Sequence, residues 1–196
     1  MADMNMWRLF IAIELPSSVL VQLAEIQGHL KKHTSPGTVR WVNPDGIHLT
    51  LKFLGDVPVA KRDSLEKALL KAVEGHTPFA LSTGLLGCFP NTNRPRVAWI
   101  GLQDQIEALA ALRDAVERLI APLGYPTEHR RFNPHLTLGR VKREAPHDSI
   151  QRLGELIAAF PAPTAQRWQV TGVSLIRSEL KPTGAVYTPL FRAPLN

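Results

Sequence analysis

The sequence predicts an α+β fold of two pseudo-symmetric lobes, each a mainly antiparallel sheet with helices outside and a cleft between them. Three observations predict it. The tetrapeptide His-Leu-Thr-Leu occurs twice, at His48–Leu51 and at His135–Leu138, 87 residues apart. Two other stretches echo at nearly the same distance: Arg8–Ile13 in Arg96–Gly101, and Thr83–Leu86 in Thr171–Ser174, each 88 residues apart. Strand-like and helix-like apolar runs alternate along the chain, with short connections that favour antiparallel pairing. Solenoid arrays have shorter periods and need at least three copies, so a repeat of this length indicates two similar lobes. The chain is read as one bilobal domain, residues 1–196, from an internal duplication of about 8–95 and 96–192. A doubly wound Rossmann sheet is the alternative, and the lack of any G-x-G-x-x-G run counts against it.

The elements follow in order. Leu9 to Ile13 is a short, apolar, β-rich run that reads as a buried strand, stopped by Pro16. Ser17 or Ser18 is placed to cap the next helix, where Val19, Leu20, Leu23 and Ile26 keep helical spacing. His48 to Leu54 reads as a strand closed by Gly55-Asp56. A second helix runs from about Val59 to Glu74, with Leu65, Leu69 and Val73 on one face and Gly75 as its stop. Phe79 to Phe89 is a longer strand, and Asn91 to Pro95 is the junction between the repeats. The second unit opens with a strand, Val97 to Leu102. A strongly amphipathic helix through Ile106, Leu109, Val116, Leu119 and Ile120 follows, ended by Pro122 and Gly124. Then come the strand holding His135, a helix from about Ser149 to Phe160, and strands near Gln169–Arg177 and Ala185–Arg192.

Composition narrows the class. A chain of 196 residues can bury a real core. Its one cysteine, Cys88, excludes an internal disulfide framework and suits a reducing compartment. Met1–Trp7 lacks a signal-peptide pattern and no apolar run reaches membrane-spanning length, so a cytoplasmic protein with no membrane partner is expected. No feature calls for an obligate protein partner, and a monomer is expected. The formal charge of +6, taken together with the paired histidine motifs, favours a polyanionic ligand, nucleic acid or nucleotide; charge alone does not decide it.

In a strand, residues i and i+2 share a face, so His48 and Thr50 point one way while Leu49 and Leu51 point to the core. The same holds for His135 and Thr137. Two such strands, one per lobe, bring two imidazoles and two hydroxyls to a common cleft. No Asp, Glu or Cys stands at ligand spacing beside the two histidines, so no metal site is expected. A nucleophile is also missing, because Cys88 has no motif around it and no serine sits on an elbow sequence. What remains is paired general acid–base catalysis on a phosphate. Displacement at phosphorus runs in line, and two histidines can serve the attacking and leaving oxygens from opposite sides. An imidazole pKa of about 6.5 keeps both protonation states accessible. The threonine hydroxyls can donate to the non-bridging oxygens. By strict alternation Arg140 falls on the opposite face from His135 and Thr137, and it reaches the site only if the strand ends or twists there. Lys52 continues the His48/Thr50 face and is expected to add positive potential to the cleft. Trp41, Phe10 and Phe53 are read as core residues, with base stacking the alternative. His29, His33, His76, His129 and His147 are expected at the surface. Arg130 and Arg131 could meet RNA phosphates or form a solvated turn.

The paired H-x-T-x motifs resemble the two-histidine phosphoesterase superfamily. Arg8–Ile13, Trp41–Gly55, Phe89-Pro90 with Arg94–Leu102, Phe132–Arg140 and Ser178–Leu190 are similar to its RNA 2′,3′-cyclic phosphodiesterases, historically called 2′-5′ RNA ligases. The resemblance implies a bilobal enzyme without cofactor or metal that opens an RNA 2′,3′-cyclic phosphate to a 2′-phosphate. It implies His48 as proton donor to the leaving oxygen and His135 as the base that activates water. Thr50, Thr137 and Arg140 would bind the phosphate. Alternatives are 2′-5′ ligation from the cyclic end, a small cyclic phosphate as substrate, and a nucleotide- or RNA-binding module without turnover.

Overall fold

A computed structural model describes residues 5–182 and 184–196. Nine strands and four α-helices occupy them: β1 (Met6–Glu14), α1 (Ser17–His33), β2 (Val39–Trp41), β3 (His48–Pro58), α2 (Arg62–Val73), β4 (Phe79–Phe89), β5 (Val97–Asp104), α3 (Ile106–Ile120), β6 (His135–Val141), α4 (His147–Ala158), β7 (Arg167–Val170), β8 (Gly172–Lys181) and β9 (Gly184–Pro194). They build two sheets of orders β3-β1-β8-β9 and β2-β6-β5-β4-β7. Every pairing is antiparallel. The expected α+β architecture is the one formed.

One apolar core serves both sheets. Leu9, Ile11, Leu49 and Leu51 of the first sheet and Ile100, Leu136 and Leu138 of the second join Leu23, Leu65, Leu109 and Leu153 of the four helices in a single cluster. Helices α2 and α3 lie against the first sheet, and α4 lies against the second. β3 and β6, the two strands carrying the repeated tetrapeptide, meet where the sheets adjoin. His48, Thr50, His135 and Thr137 are half-buried between fully buried leucines, so they lie on the strand faces turned away from that core, the faces the sequence assigns to the cleft.

The lobes are not the halves of the chain. Strands β1 and β3 sit with β8 and β9, whereas β5 and β6 sit with β2, β4 and β7. The first half therefore sends β2 and β4 into the sheet of β5 and β6, and the second half sends β8 and β9 into the sheet of β1 and β3. The pairing register is regular once this exchange is followed. Phe10, Ile11, Ala12 and Ile13 face Phe53, Lys52, Thr50 and Leu49. Eighty-seven residues later, Val97, Ala98, Trp99 and Ile100 face Arg140, Gly139, Thr137 and Leu136. The first-strand echo is thus offset by 87, one residue less than the identities suggested.

Several local expectations need correction. Ser17 and Ser18 lie inside α1, whose N-cap position is Pro16 with no side-chain cap; the Pro16 carbonyl instead accepts from Val19 and Leu20 N–H. Strand β2 was not foreseen, because three residues carry too little periodicity to show. The run near Gln169–Arg177 is two strands, broken at Thr171, where the chain leaves one sheet for the other. Gly75 and Gly124 take positive φ where a helix or helical turn ends, as their placement in the sequence suggested.

Candidate active site

Each histidine is held by its own backbone. A carbonyl can only accept, so the Nδ1 that lies 2.8 Å from the Gly46 carbonyl makes His48 the Nδ1–H tautomer. His135 repeats this with the Asn133 carbonyl at 2.7 Å. In both cases the partner is two residues upstream and Nε2 is left unengaged by that bond. Aromatic rings fix the imidazole planes. Phe10 stacks on His48 at 4.5 Å and Tyr187 stands edge-on at 5.0 Å. Phe89 stands edge-on to His135 at 5.0 Å, with Trp99 at 6.3 Å. Gly87 is required here, since a Cβ on it would lie 2.4 Å from the Trp99 ring.

These surroundings set the charge. Burial pushes the His48 pKa below its ordinary value, only partly offset by the bond to Gly46. Burial also lowers His135, the Asn133 bond opposes it, and the Arg140 cation lowers it further. Both rings are therefore held more readily neutral than a free imidazole, and only His135 has a cation among the causes.

A β-bulge decides which residues join them. In β6, Thr137 faces Trp99 and Gly139 faces Ala98, so Leu138 is the extra residue. Alternation resumes one step late, and Arg140 lands on the face of His135 and Thr137. The sequence reading allowed this only through a strand end or a twist; here an inserted residue does it while the strand continues to Val141. The carbonyl of Leu138 accepts from Val42 N–H at 2.9 Å and from Gln27 Nε2 at 2.9 Å. Gly139 now points into the core, where a Cβ would lie 2.6 Å from Val39 and 2.8 Å from Trp41.

The matching bulge in β3 falls at Leu51, between Thr50 opposite Ala12 and Lys52 opposite Ile11. It overturns the expectation for Lys52, which is buried and turned from the cleft. Lys52 pairs with Glu117 of α3 and donates to the Pro126 carbonyl at 2.9 Å. Glu117 also meets Arg113 at 3.3 Å, and Arg113 lies over the Phe132 ring at 5.4 Å. This network ties the strand of the first motif to the segment that leads into the second. Phe53 takes the cleft face that Lys52 vacates and is 69% exposed. It is not a core residue, whereas Trp41 packs on the core and Phe10 sits buried beneath His48. Counted by the 87-residue offset, Phe53 occupies the place of Arg140.

Sequence reasoning missed Arg40, which faces Arg140 across the β2–β6 pairing. It also missed Phe89, Trp99 and Tyr187 beside the histidines. Only tertiary contacts, the rings with the two histidines and Arg40 with Arg140, reveal them. His29, His33, His129 and His147 are exposed as expected, and Arg130 and Arg131 are exposed before β6. Among the described residues no three His, Cys, Asp or Glu side chains converge as metal ligands would. No helix of the described residues is long and apolar enough to cross a membrane.

A family described as the 2′-5′ RNA ligase superfamily matches residues 15–182. A protein of Methanothermobacter thermautotrophicus named RNA 2′,3′-cyclic phosphodiesterase is 34% identical over 93% of this chain and 96% of its own. One of the same name from Thermotoga maritima is 33% identical over 94% and 93%. Among solved structures, E. coli LigT complexed with 3′-AMP superposes with a TM-score of 0.76 at 29% identity, covering 98% of this chain and 99% of that one. The protein TT0787 of Thermus thermophilus gives 0.75 at 32% identity, covering 96% and 97%.

Proposed function

The chain belongs to the 2′-5′ RNA ligase superfamily, and from that footing we propose that it is an RNA 2′,3′-cyclic phosphodiesterase that forms a 2′-phosphate by metal-independent acid–base catalysis. The observation that carries the reading is the shared anchoring of the two rings. Each Nδ1–H is spent on a backbone carbonyl, so each Nε2 is free to take or give a proton.

In this reading His135 Nε2 removes a proton from water as its oxygen bonds to phosphorus. The bond from phosphorus to the 3′ oxygen breaks, and His48 Nε2–H protonates that oxygen, leaving a 2′-phosphate and a 3′-hydroxyl. The Arg140 charge beside His135 disfavours its imidazolium and so suits it to the role of base. A substrate phosphate would offset the lowered pKa of His48 and favour the protonated form that an acid needs. Thr50 and Thr137, each two residues along the same face, would hydrogen-bond the non-bridging oxygens, and Arg140 would neutralise their charge. The exposed Phe53 ring supports contact with a base at the rim of the cleft. The parallel displacement, in which a 5′-hydroxyl replaces water, the same bond to the 3′ oxygen breaks and a 2′-5′ link forms, would use the same groups.

The test is incubation of an oligonucleotide ending in a 2′,3′-cyclic phosphate with the protein in EDTA, followed by assignment of the product phosphate. A 2′-phosphate should accumulate at the rate seen without chelator. His48→Ala and His135→Ala should each lower kcat/KM by about a hundredfold or more. Thr50→Ala and Thr137→Ala should each cost about ten- to a hundredfold, the worth of one hydrogen bond to a charged group. Undiminished turnover in either histidine variant, or recovery that requires added zinc, would remove the mechanism.

A further inference from the structure

We propose that the hollow bordered by Arg40, Arg140, Lys142 and Arg143 is a subsite for a second RNA phosphate, the phosphodiester on the 5′ side of the nucleotide that carries the cyclic end. The proposal rests on the hydrolytic reading and names its substrate as an oligonucleotide rather than a mononucleotide.

Three observations carry it. First, Arg40 and Arg140 are directly opposed in the β2–β6 ladder, and both are exposed. Directly opposed like charges destabilise a strand pair, so the arrangement calls for an anion between or above them. Second, no carboxylate among the described residues lies within ion-pair distance of Arg40, Arg140, Lys142 or Arg143. Glu144 also borders the hollow, following Arg143, and contributes the opposite sign there. Third, the hollow adjoins the reaction centre. Arg140 is close enough to His135 to bear on its protonation, and Lys142 and Arg143 follow it along the chain, away from the motif.

The chemistry of the substrate supplies the matching group. A nucleotide with a 2′,3′-cyclic phosphate at the end of an RNA chain has one neighbouring phosphate, on its own 5′ oxygen. With the cyclic phosphate between the histidines, Arg140 stands between the two anions, and Arg40 can present a planar fork to the second. A cyclic mononucleotide lacks that phosphodiester and cannot use the subsite. Turnover of the two substrates should then differ in a way that depends on Arg40.

The experiment compares a nucleoside 2′,3′-cyclic monophosphate with a trinucleotide ending in the same cyclic phosphate. Wild-type kcat/KM should favour the trinucleotide by about tenfold or more, the scale of one charge-assisted bond. Arg40→Gln should shrink that ratio severalfold. In the wild type, a neutral methylphosphonate at the last internucleotide linkage should shrink it equally. The salt dependence of log kcat/KM for the trinucleotide should become shallower by about 0.7 in Arg40→Gln, the slope that neutralising one phosphate contributes on a single strand. Arg40 is exposed, so the variant should fold, and relief of repulsion should leave its Tm at or above that of the wild type. Equal kcat/KM for both substrates, or an Arg40→Gln loss as large on the mononucleotide, would overturn the subsite. Should the wild type hydrolyse neither substrate, the hydrolytic reading falls instead. The subsite is then judged by binding of a trinucleotide 3′-phosphate, which Arg40→Gln should weaken about tenfold; unchanged binding would overturn it.

Discussion

His48 and His135 share a tautomer but not an electrostatic setting, and the difference is testable. Arg140 lowers the pKa of His135, so its removal should raise it. If His135 must be neutral in the free enzyme, the acidic limb of the kcat/KM profile should move to higher pH in Arg140→Gln, alongside a weaker hold on the phosphate. An acidic limb left in place would detach Arg140 from the base. Stability carries a second signature. Above an unfolded pKa of about 6.5 neither state holds the imidazole protons, and the full stability is present. As pH falls through that value the unfolded chain takes up protons that the folded rings resist, so stability declines toward the lowered folded values. Urea midpoints should fall between about pH 7 and 5. The fall should be smaller in the His48→Gln, His135→Asn double variant. An identical pH dependence in that variant would place the titration elsewhere.

The two bulged strands do more than carry the motifs. Each displaces the residue after the motif by one face, sending Lys52 and Gly139 inward and Phe53 and Arg140 outward. What fills the inward place differs. Gly139 leaves room for Val39 and Trp41, so Gly139→Ala should push β2 away and loosen Arg140 along with Arg40. Lys52 instead brings a charge into the interior, where Glu117 and the Pro126 carbonyl receive it. Removing one member of a buried pair leaves the other unpaired. Lys52→Met should therefore cost about 3 kcal/mol or more, read by urea denaturation. Combining it with Glu117→Leu should recover much of that loss, because the pair is removed as a unit. A double variant as unstable as the sum of the singles would mean that the two residues are not coupled.

At the scale of the molecule, the exchange of strands makes the halves interdependent. Residues 1–95 hold β1 and β3 without β8 and β9, and they hold β4 without β5. Either half alone would expose unpaired strand edges and a divided core. Expressed separately, residues 1–95 and 96–196 should lack cooperative unfolding and chemical-shift dispersion, and a mixture should regain both. A folded, cooperative half would contradict the shared core. The same exchange places each histidine in a sheet built from both repeats, so relative placement of the motifs depends on the whole fold.

The repeated tetrapeptide, read with strand alternation, was enough to name two histidines and two threonines and to put each His–Thr pair on one strand face. Those inferences need only local geometry, since neighbours at i and i+2 share a face whatever surrounds them. The α+β class was legible for a related reason, because apolar periodicity reports the burial of each element separately. Beyond the motifs, sequence alternation failed at Lys52 and Arg140 alike. A bulge inserts a single residue and is fixed by what lies opposite, here Ala12 and Trp99, which are distant in sequence. Arg40 and the exchange of β4 and β8 were hidden for the same reason. Tertiary structure alone decided them, because strand pairing is a contact between segments whose separate periodicities do not say which will meet.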